Sequence, residues 1–122
     1  FLLMYCDNYC PIDFQKLQES YFRNQALLQI TAYANTDHYT KNNLRVSDNG
    51  QVLCYDKKRV TEGLKGVDIG YAIVNKKLLQ LLPDENCDFE AVVYPEIVKA
   101  GITFIPVSRI EEVIANAFKA KL

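Results

Sequence analysis

The chain opens on Phe1-Leu2-Leu3-Met4-Tyr5, an apolar run without polar alternation, and then breaks at Cys6-Asp7-Asn8-Tyr9. A short continuous apolar run bounded by turn formers reads as a strand covered on both faces, the kind that parallel sheets contain. No other stretch constrains the fold as much, because such a strand requires layers on both sides of its sheet. The run also sets an aspartate, Asp7, at the carboxyl end of that strand. The sequence starts inside the hydrophobic element, as expected of a piece of a larger domain.

Pro11-Ile12-Asp13 reads as a helix entry with Asp13 as cap, and Phe14, Leu17, Tyr21 and Phe22 share one helical face directed at a core. The helix is expected to stop near Asn24, and a second strand to run from Ala26 to Ala34. Strand, helix and strand in this order form a βαβ unit, which implies parallel pairing with a right-handed crossover. Asp48-Asn49-Gly50 between Leu44–Ser47 and Gln51–Asp56 predicts a β-hairpin, because Asn-Gly tolerates positive φ. Val67–Val74 is a further strand, interrupted by Gly70.

Asn75 caps a short helix from Lys76 to Leu82 that Pro83 ends. Cys87 or Asp88 caps another from Phe89 to Ala100, with Pro95 as a kink and Gly101 as its stop. Ile102–Val107 is the last strand. Ser108-Arg109-Ile110-Glu111 is a capping box ahead of a final amphipathic helix carrying Ile110, Val113, Ile114, Ala117 and Phe118. The expectation is one α/β domain over residues 1–122, with a mixed, mainly parallel sheet, flanking helices and an inserted hairpin.

Apolar residues make up 49% of the 122 and charged residues 24%, an ordinary globular balance. A net charge of −1 gives no general attraction to nucleic acid or to anionic membranes. No apolar run approaches the roughly 18 residues of a membrane-spanning helix. The first residues carry neither the basic region nor the small-residue cleavage site of a secretory signal. Cys6, Cys10, Cys54 and Cys87 form no C-x-x-C pair, and one histidine, His38, lies far from them, so zinc spacing is absent. Four free thiols in a cytoplasmic protein are expected.

Asp7 is the foremost candidate for chemistry, because ligands bind outside the carboxyl ends of strands in open α/β sheets. A carboxylate there suits Mg²⁺, a hard cation that also bridges to substrate phosphates. The plainer alternative is a turn aspartate satisfying local N–H groups. Asp56-Lys57-Lys58-Arg59 offers cations for a phosphate or else a solvated charge run at a strand end. Gly70 inside an apolar strand marks either close approach of a ligand or backbone, or a bulge. His38, beside Asp37 and Tyr39 in a polar loop, reads as an exposed loop histidine sooner than as a general base, which needs a positioned partner. The aromatics Tyr5, Phe14, Tyr21 and Phe22 are read as core.

Several segments together resemble one family. They are Leu2 to Tyr9 with Ile12-Asp13-Phe14, then Asp48-Asn49-Gly50-Gln51-Val52, Tyr55-Asp56-Lys57-Lys58 and Val67 to Val74. Leu78 to Pro83 and Asp88-Phe89-Glu90 with Tyr94-Pro95 follow in the same order. Over residues 1–107 this resembles the sugar-phosphate nucleotidyltransferases, closest to the branch acting on heptose 1-phosphates.

The resemblance implies a Rossmann-like α/β fold and transfer of a nucleotidyl group from a nucleoside triphosphate to a sugar 1-phosphate, releasing pyrophosphate. It implies Asp7 as the Mg²⁺ ligand and catalytic aspartate, Lys57 on the sugar phosphate, and Asp68 and Gly70 at the sugar. The family's Gly-rich phosphate loop is absent from this sequence, and Cys6 stands where a glycine usually precedes the metal aspartate. The chain is therefore expected to represent the acceptor side of such a domain without its N-terminal nucleotide-binding half, and to be inactive in isolation. Self-association through an exposed sheet edge is expected with it. The alternative is a non-catalytic α/β binding or assembly module on the same scaffold.

Overall fold

The computed structural model describes residues 1–100 and 104–108. Its strands are β1 (Leu2–Met4), β2 (Leu28–Tyr33), β3 (Leu44–Val46), β4 (Val52–Tyr55), β5 (Val67–Val74) and β6 (Phe104–Ser108). Two α-helices, α1 (Phe14–Asn24) and α2 (Tyr94–Lys99), join a 3₁₀-helix at Lys76–Leu81 and a π-helical turn at Phe89–Val93. The predicted helix beyond Ser108 and the Gly101 stop lie outside the described residues. No helix among the described residues is long and apolar enough to cross a membrane.

The main sheet has the order β1-β5-β2-β6, and β3 and β4 form a separate hairpin. β5 pairs antiparallel with both β1 and β2, and among the described residues only the β2–β6 pair is parallel. The expected Rossmann-like, mainly parallel sheet is therefore not formed. The strand–helix–strand unit is present, and β1 and β2 run in the same direction because each opposes β5. They do not touch: β5, arriving later in sequence, fills the gap between them and reverses both pairings.

β1 is a three-residue edge strand, and Leu2 and Met4 are 44% and 53% exposed. Its apolar run is thus not covered on both faces, contrary to expectation. The doubly buried strand is β2, where Leu28, Gln29, Ile30, Thr31 and Ala32 are all buried. Its one long polar side chain is satisfied: Gln29 Nε2 donates to the Leu17 carbonyl of α1 at 2.7 Å, and Oε1 accepts from Ser20 Oγ at 3.3 Å. Unpaired, that buried amide would cost on the order of 1–3 kcal/mol.

Leu28, Ile30, Ala72 and Val74 of the sheet pack with Leu44, Val52 and Tyr55 of the hairpin and with Leu78, Val93, Tyr94 and Ile97. α1 contributes only Leu17 to the fully buried set, whereas Phe14 and Phe22 are exposed, so the core role expected of those rings fails. Phe14 instead meets Tyr71 edge-on, and Phe22 meets Tyr21.

The local signals act as their residue types dictate. Asp13 accepts from Lys16 N at 3.1 Å, Asn75 from Lys77 N at 3.0 Å and Asp88 from Ala91 N at 2.9 Å. In the hairpin, Gly50 alone of Asn-Gly takes positive φ, at 82°. Pro95 starts α2 instead of kinking a longer helix. It has no N–H for the preceding carbonyls, so the chain makes a π turn first, in which Tyr94 N donates to the Phe89 carbonyl.

Gly70 shapes the central strand. Between the pairs Ile30↔Ala72 and Ala32↔Asp68 the register of β5 against β2 shifts, and Gly70 lies in that bulge with φ 82°. A Cβ at this position would lie 2.9 Å from Tyr5 Cδ2. Gly70→Ala is expected to lower unfolding stability by about 1–3 kcal/mol, because the left-handed backbone and the Tyr5 ring both oppose a side chain. Urea denaturation would measure this, and a loss below about 0.5 kcal/mol would mean the bulge relaxes freely.

Candidate functional site

The segment after β1 is fastened to the bulge of β5. Tyr5 N donates to the Gly70 carbonyl at 3.0 Å, Asn8 Nδ2 to the Ile69 carbonyl at 2.6 Å, and Cys10 N to the Tyr71 hydroxyl at 2.9 Å. Asn8 thereby carries the local bonding next to Asp7, whose side chain sits exposed at the rim. On the opposite side, Asp56 builds the turn after β4. Its Oδ2 accepts from Val60 N, Thr61 N and Thr61 Oγ1, and its Oδ1 from Lys58 N. These four bonds hold the Asp56 carboxyl well below the usual carboxylate range, with the Thr61 hydroxyl as the largest cause. Asp56 is thus a turn-forming residue, and the turn presents Lys57 and Arg59 to the same space as Asp7.

That space is a cavity of about 490 Å³. It brings together Asp7, Lys57, Asp68 and Gly70, every site residue expected from the sequence, although they come from three separate stretches of chain. Arg59, Asp88 and Glu90 complete its charged lining, and Tyr5, Asn8 and Phe89 its remaining walls. From the sequence, Asp88 is expected as a helix cap in alternation with Cys87, and Asp88-Phe89-Glu90 as a segment of the family resemblance, with no site role for either acid. The D-x-E spacing ahead of a helix start was the available signal.

Lys57 Nζ forms an ion pair with Asp88 Oδ2 and lies 3.4 Å from Glu90 Oε2. The Asp88 hydrogen bond is the main reason that the lysine is raised above its ordinary value and the carboxyl lowered below its own. Arg59 is tied to the neighbouring loop, donating to Thr40 Oγ1 at 2.9 Å and to the Lys41 carbonyl at 2.8 Å.

Asp68 is the most perturbed acid of the site. Its Oδ2 accepts from the Tyr55 hydroxyl at 3.0 Å and its Oδ1 from Gly70 N at 2.9 Å. Burial outweighs those two bonds, and nearby Glu90 adds to it, so the carboxyl is pushed up to about 6. Tyr5, Tyr55 and Tyr94 are held protonated, first by burial and then by the surrounding carboxylates. Their hydroxyls therefore serve as donors or acceptors and not as phenolates. Tyr55 and Phe89 both meet Tyr94 edge-on, at centroid distances of 4.6 and 5.3 Å, which stiffens the floor beneath Asp68.

Among the described residues no three His, Cys, Asp or Glu side chains cluster closely enough to hold a metal ion between them. All four cysteines are free, with Cys6 exposed. His38 stays in its polar loop, away from this cavity, with φ 54°.

No protein-family model matches the chain. No curated protein matches it either. Among solved structures it is similar to HddC from Yersinia pseudotuberculosis, with a TM-score of 0.65 and 23% identity, over 88% of this chain and 45% of that one. At that identity the likeness establishes a shared fold, and the chain spans under half the length of HddC.

A raised Asp68 has a defined effect on stability. The folded state holds this proton more tightly than the unfolded chain, whose carboxyl titrates near its ordinary 3.8. The contribution is fully present below that value and is lost as pH rises through about 6. Unfolding free energy should therefore fall by about 3 kcal/mol through this group between those limits. Asp68→Asn should flatten that part of the profile in chemical denaturation, and an unchanged slope would mean that Asp68 titrates normally.

Proposed function

We propose that this chain forms the acceptor side of a sugar-phosphate nucleotidyltransferase and that its cavity receives a sugar 1-phosphate, of the heptose 1-phosphate class. One observation carries the reading. The four residues that the sequence resemblance implies for metal, phosphate and sugar converge on a single cavity. The fold is shared with HddC over 88% of this chain.

In this reading Lys57 holds the phosphate as a point charge. Asp68 and Glu90 meet the sugar hydroxyls, for which carboxylate oxygens are suitable partners, and Gly70 lines the same wall of the cavity. Asp7 is the residue that would bind Mg²⁺. As a single exposed carboxylate it suits an ion that keeps waters and arrives with phosphate oxygens, rather than one enclosed by protein ligands. Such an ion, when bound, would neutralise charge on the phosphates during nucleotidyl transfer from a nucleoside triphosphate. The acceptor phosphate oxygen attacks the α-phosphorus of the triphosphate in line, the new P–O bond forming as the bond to the β-phosphate breaks and pyrophosphate leaves, and no covalent enzyme intermediate is required.

The cavity's own chemistry calls for that help. Two cations face four carboxylates in its lining, so phosphate meets an acidic environment unless a metal or a rearranged lysine offsets it.

Calorimetric titration with mannose 1-phosphate, chosen as a hexose 1-phosphate probe, tests the assignment. Binding should strengthen with Mg²⁺, and Asp7→Asn should abolish that enhancement. Lys57→Ala should weaken binding by roughly tenfold, as expected for loss of a charge-assisted contact, while leaving stability within about 0.5 kcal/mol. Absence of any sugar-phosphate binding would sink the transferase reading and leave a binding or assembly module.

A further inference from the structure

The cation that this reading assigns to the phosphate already has a partner, and the partner's geometry shows how it can leave. Asp88 divides its carboxylate between two tasks. Oδ1 accepts from Ala91 N at 2.9 Å and caps the π turn, while Oδ2 pairs with Lys57 Nζ. The cap holds the carboxyl in place whether or not the lysine is there.

Lys57 has a second carboxylate, Glu90 Oε2, at 3.4 Å, so it stays anchored in the cavity if Asp88 is replaced. Lys57 and Asp88 are both about half exposed, which makes their pair a weak, water-accessible one, and Glu90 is the more buried of the two acids. The remaining cation of the lining, Arg59, is committed to Thr40 and Lys41. An entering phosphate therefore competes with Asp88 for Lys57.

We propose that Asp88 stands in for the ligand's phosphate on Lys57, and that exchange of this partner sets the cavity's affinity and selectivity for phosphate-bearing sugars. This rests on the reading of the cavity as a sugar 1-phosphate site. Asp88 is a positioning residue here: it acts through Lys57 and need not touch the ligand. Its charge holds the ammonium at the cavity wall and also repels an anion that lacks the strength to displace it. A neutral sugar, unable to compete for the lysine, would leave the pair intact.

Asp88→Asn separates the two tasks, because the amide oxygen can still cap Ala91 N while the negative charge is gone. The variant should bind both mannose 1-phosphate and inorganic phosphate roughly three- to fivefold more tightly than the parent chain, the size expected for release of one exposed ion pair. In a Lys57→Ala background the same substitution should give no such gain, since its effect passes through the lysine. Unchanged stability in urea would show that the cap survives.

Parent chain binding phosphate while Asp88→Asn binds equally or more weakly would overturn the exchange and leave the site assignment standing. A gain that persists without Lys57 would also overturn it, as general charge relief. If neither the parent nor the variant binds any phosphate, both the exchange and the sugar-phosphate reading fail together.

Discussion

At Gly70 the central strand turns its backbone into the left-handed region, and three parts of the molecule depend on that one residue. The bulge moves the register of β5 against β2, so Asp68 on one side of it and Ala72 on the other can each find a partner on β2. It gives the Gly70 carbonyl to Tyr5 N, which ends β1 and directs the next residues across the sheet toward the cavity. It also leaves room for the Tyr5 ring, which lies against the glycine where a Cβ would stand. Thr31 Oγ1 bonds the carbonyl of Tyr71 beside the bulge at 3.1 Å, so the interrupted ladder leaves that group satisfied. The position of Asp7 is thus set from β5, a strand more than sixty residues away in sequence.

The electrostatics of the cavity follow from the same arrangement. β5 carries Asp68 into partly buried surroundings, where desolvation and not a charge partner dominates its titration. The turn after β4 and the capped π turn bring Lys57 and Asp88 together at the exposed edge, where water screens the pair. One acid is therefore controlled by burial and the other by a cation. A sugar phosphate has two ends of matching character, a hydroxylated ring for the buried acid and an anion for the exposed cation.

Much of the local structure was legible because it is decided by local chemistry. Val67–Val74 has the same limits in sequence and in structure, the hairpin turns at Gly50, and Asp13, Asn75 and Asp88 all cap through their side chains. Pairing order was not legible. A βαβ pattern tells that two strands run the same way, and this holds for β1 and β2, but it does not tell whether a later strand will lie between them. The hydrophobic run of β1 and the face of α1 misled for a related reason. Periodicity shows which side chains share a surface and leaves open whether anything covers it, so Leu2, Met4, Phe14 and Phe22 read as core yet are exposed.

The candidate site was legible through a different route, as residues that share one cavity. Asp7, Lys57, Asp68 and Gly70 were picked out by strand ends, a charge run and a glycine in a strand, aided by a family resemblance, and nothing in their spacing says that they meet. Asp88 and Glu90 belong to the resemblance but received no site role, because the capping role of Asp88 already accounts for its residue type. A cap uses one carboxylate oxygen, however, and the second must go somewhere. Where a capping aspartate sits in a short turn such as Asp88-Phe89-Glu90, the free oxygen and the following acid point out from the helix start together, and a cation brought near by the fold will be held between them. The lysine of a charge run that reads as solvated then becomes an oriented one, and its orientation is recorded in the acids that face it and not in the run itself.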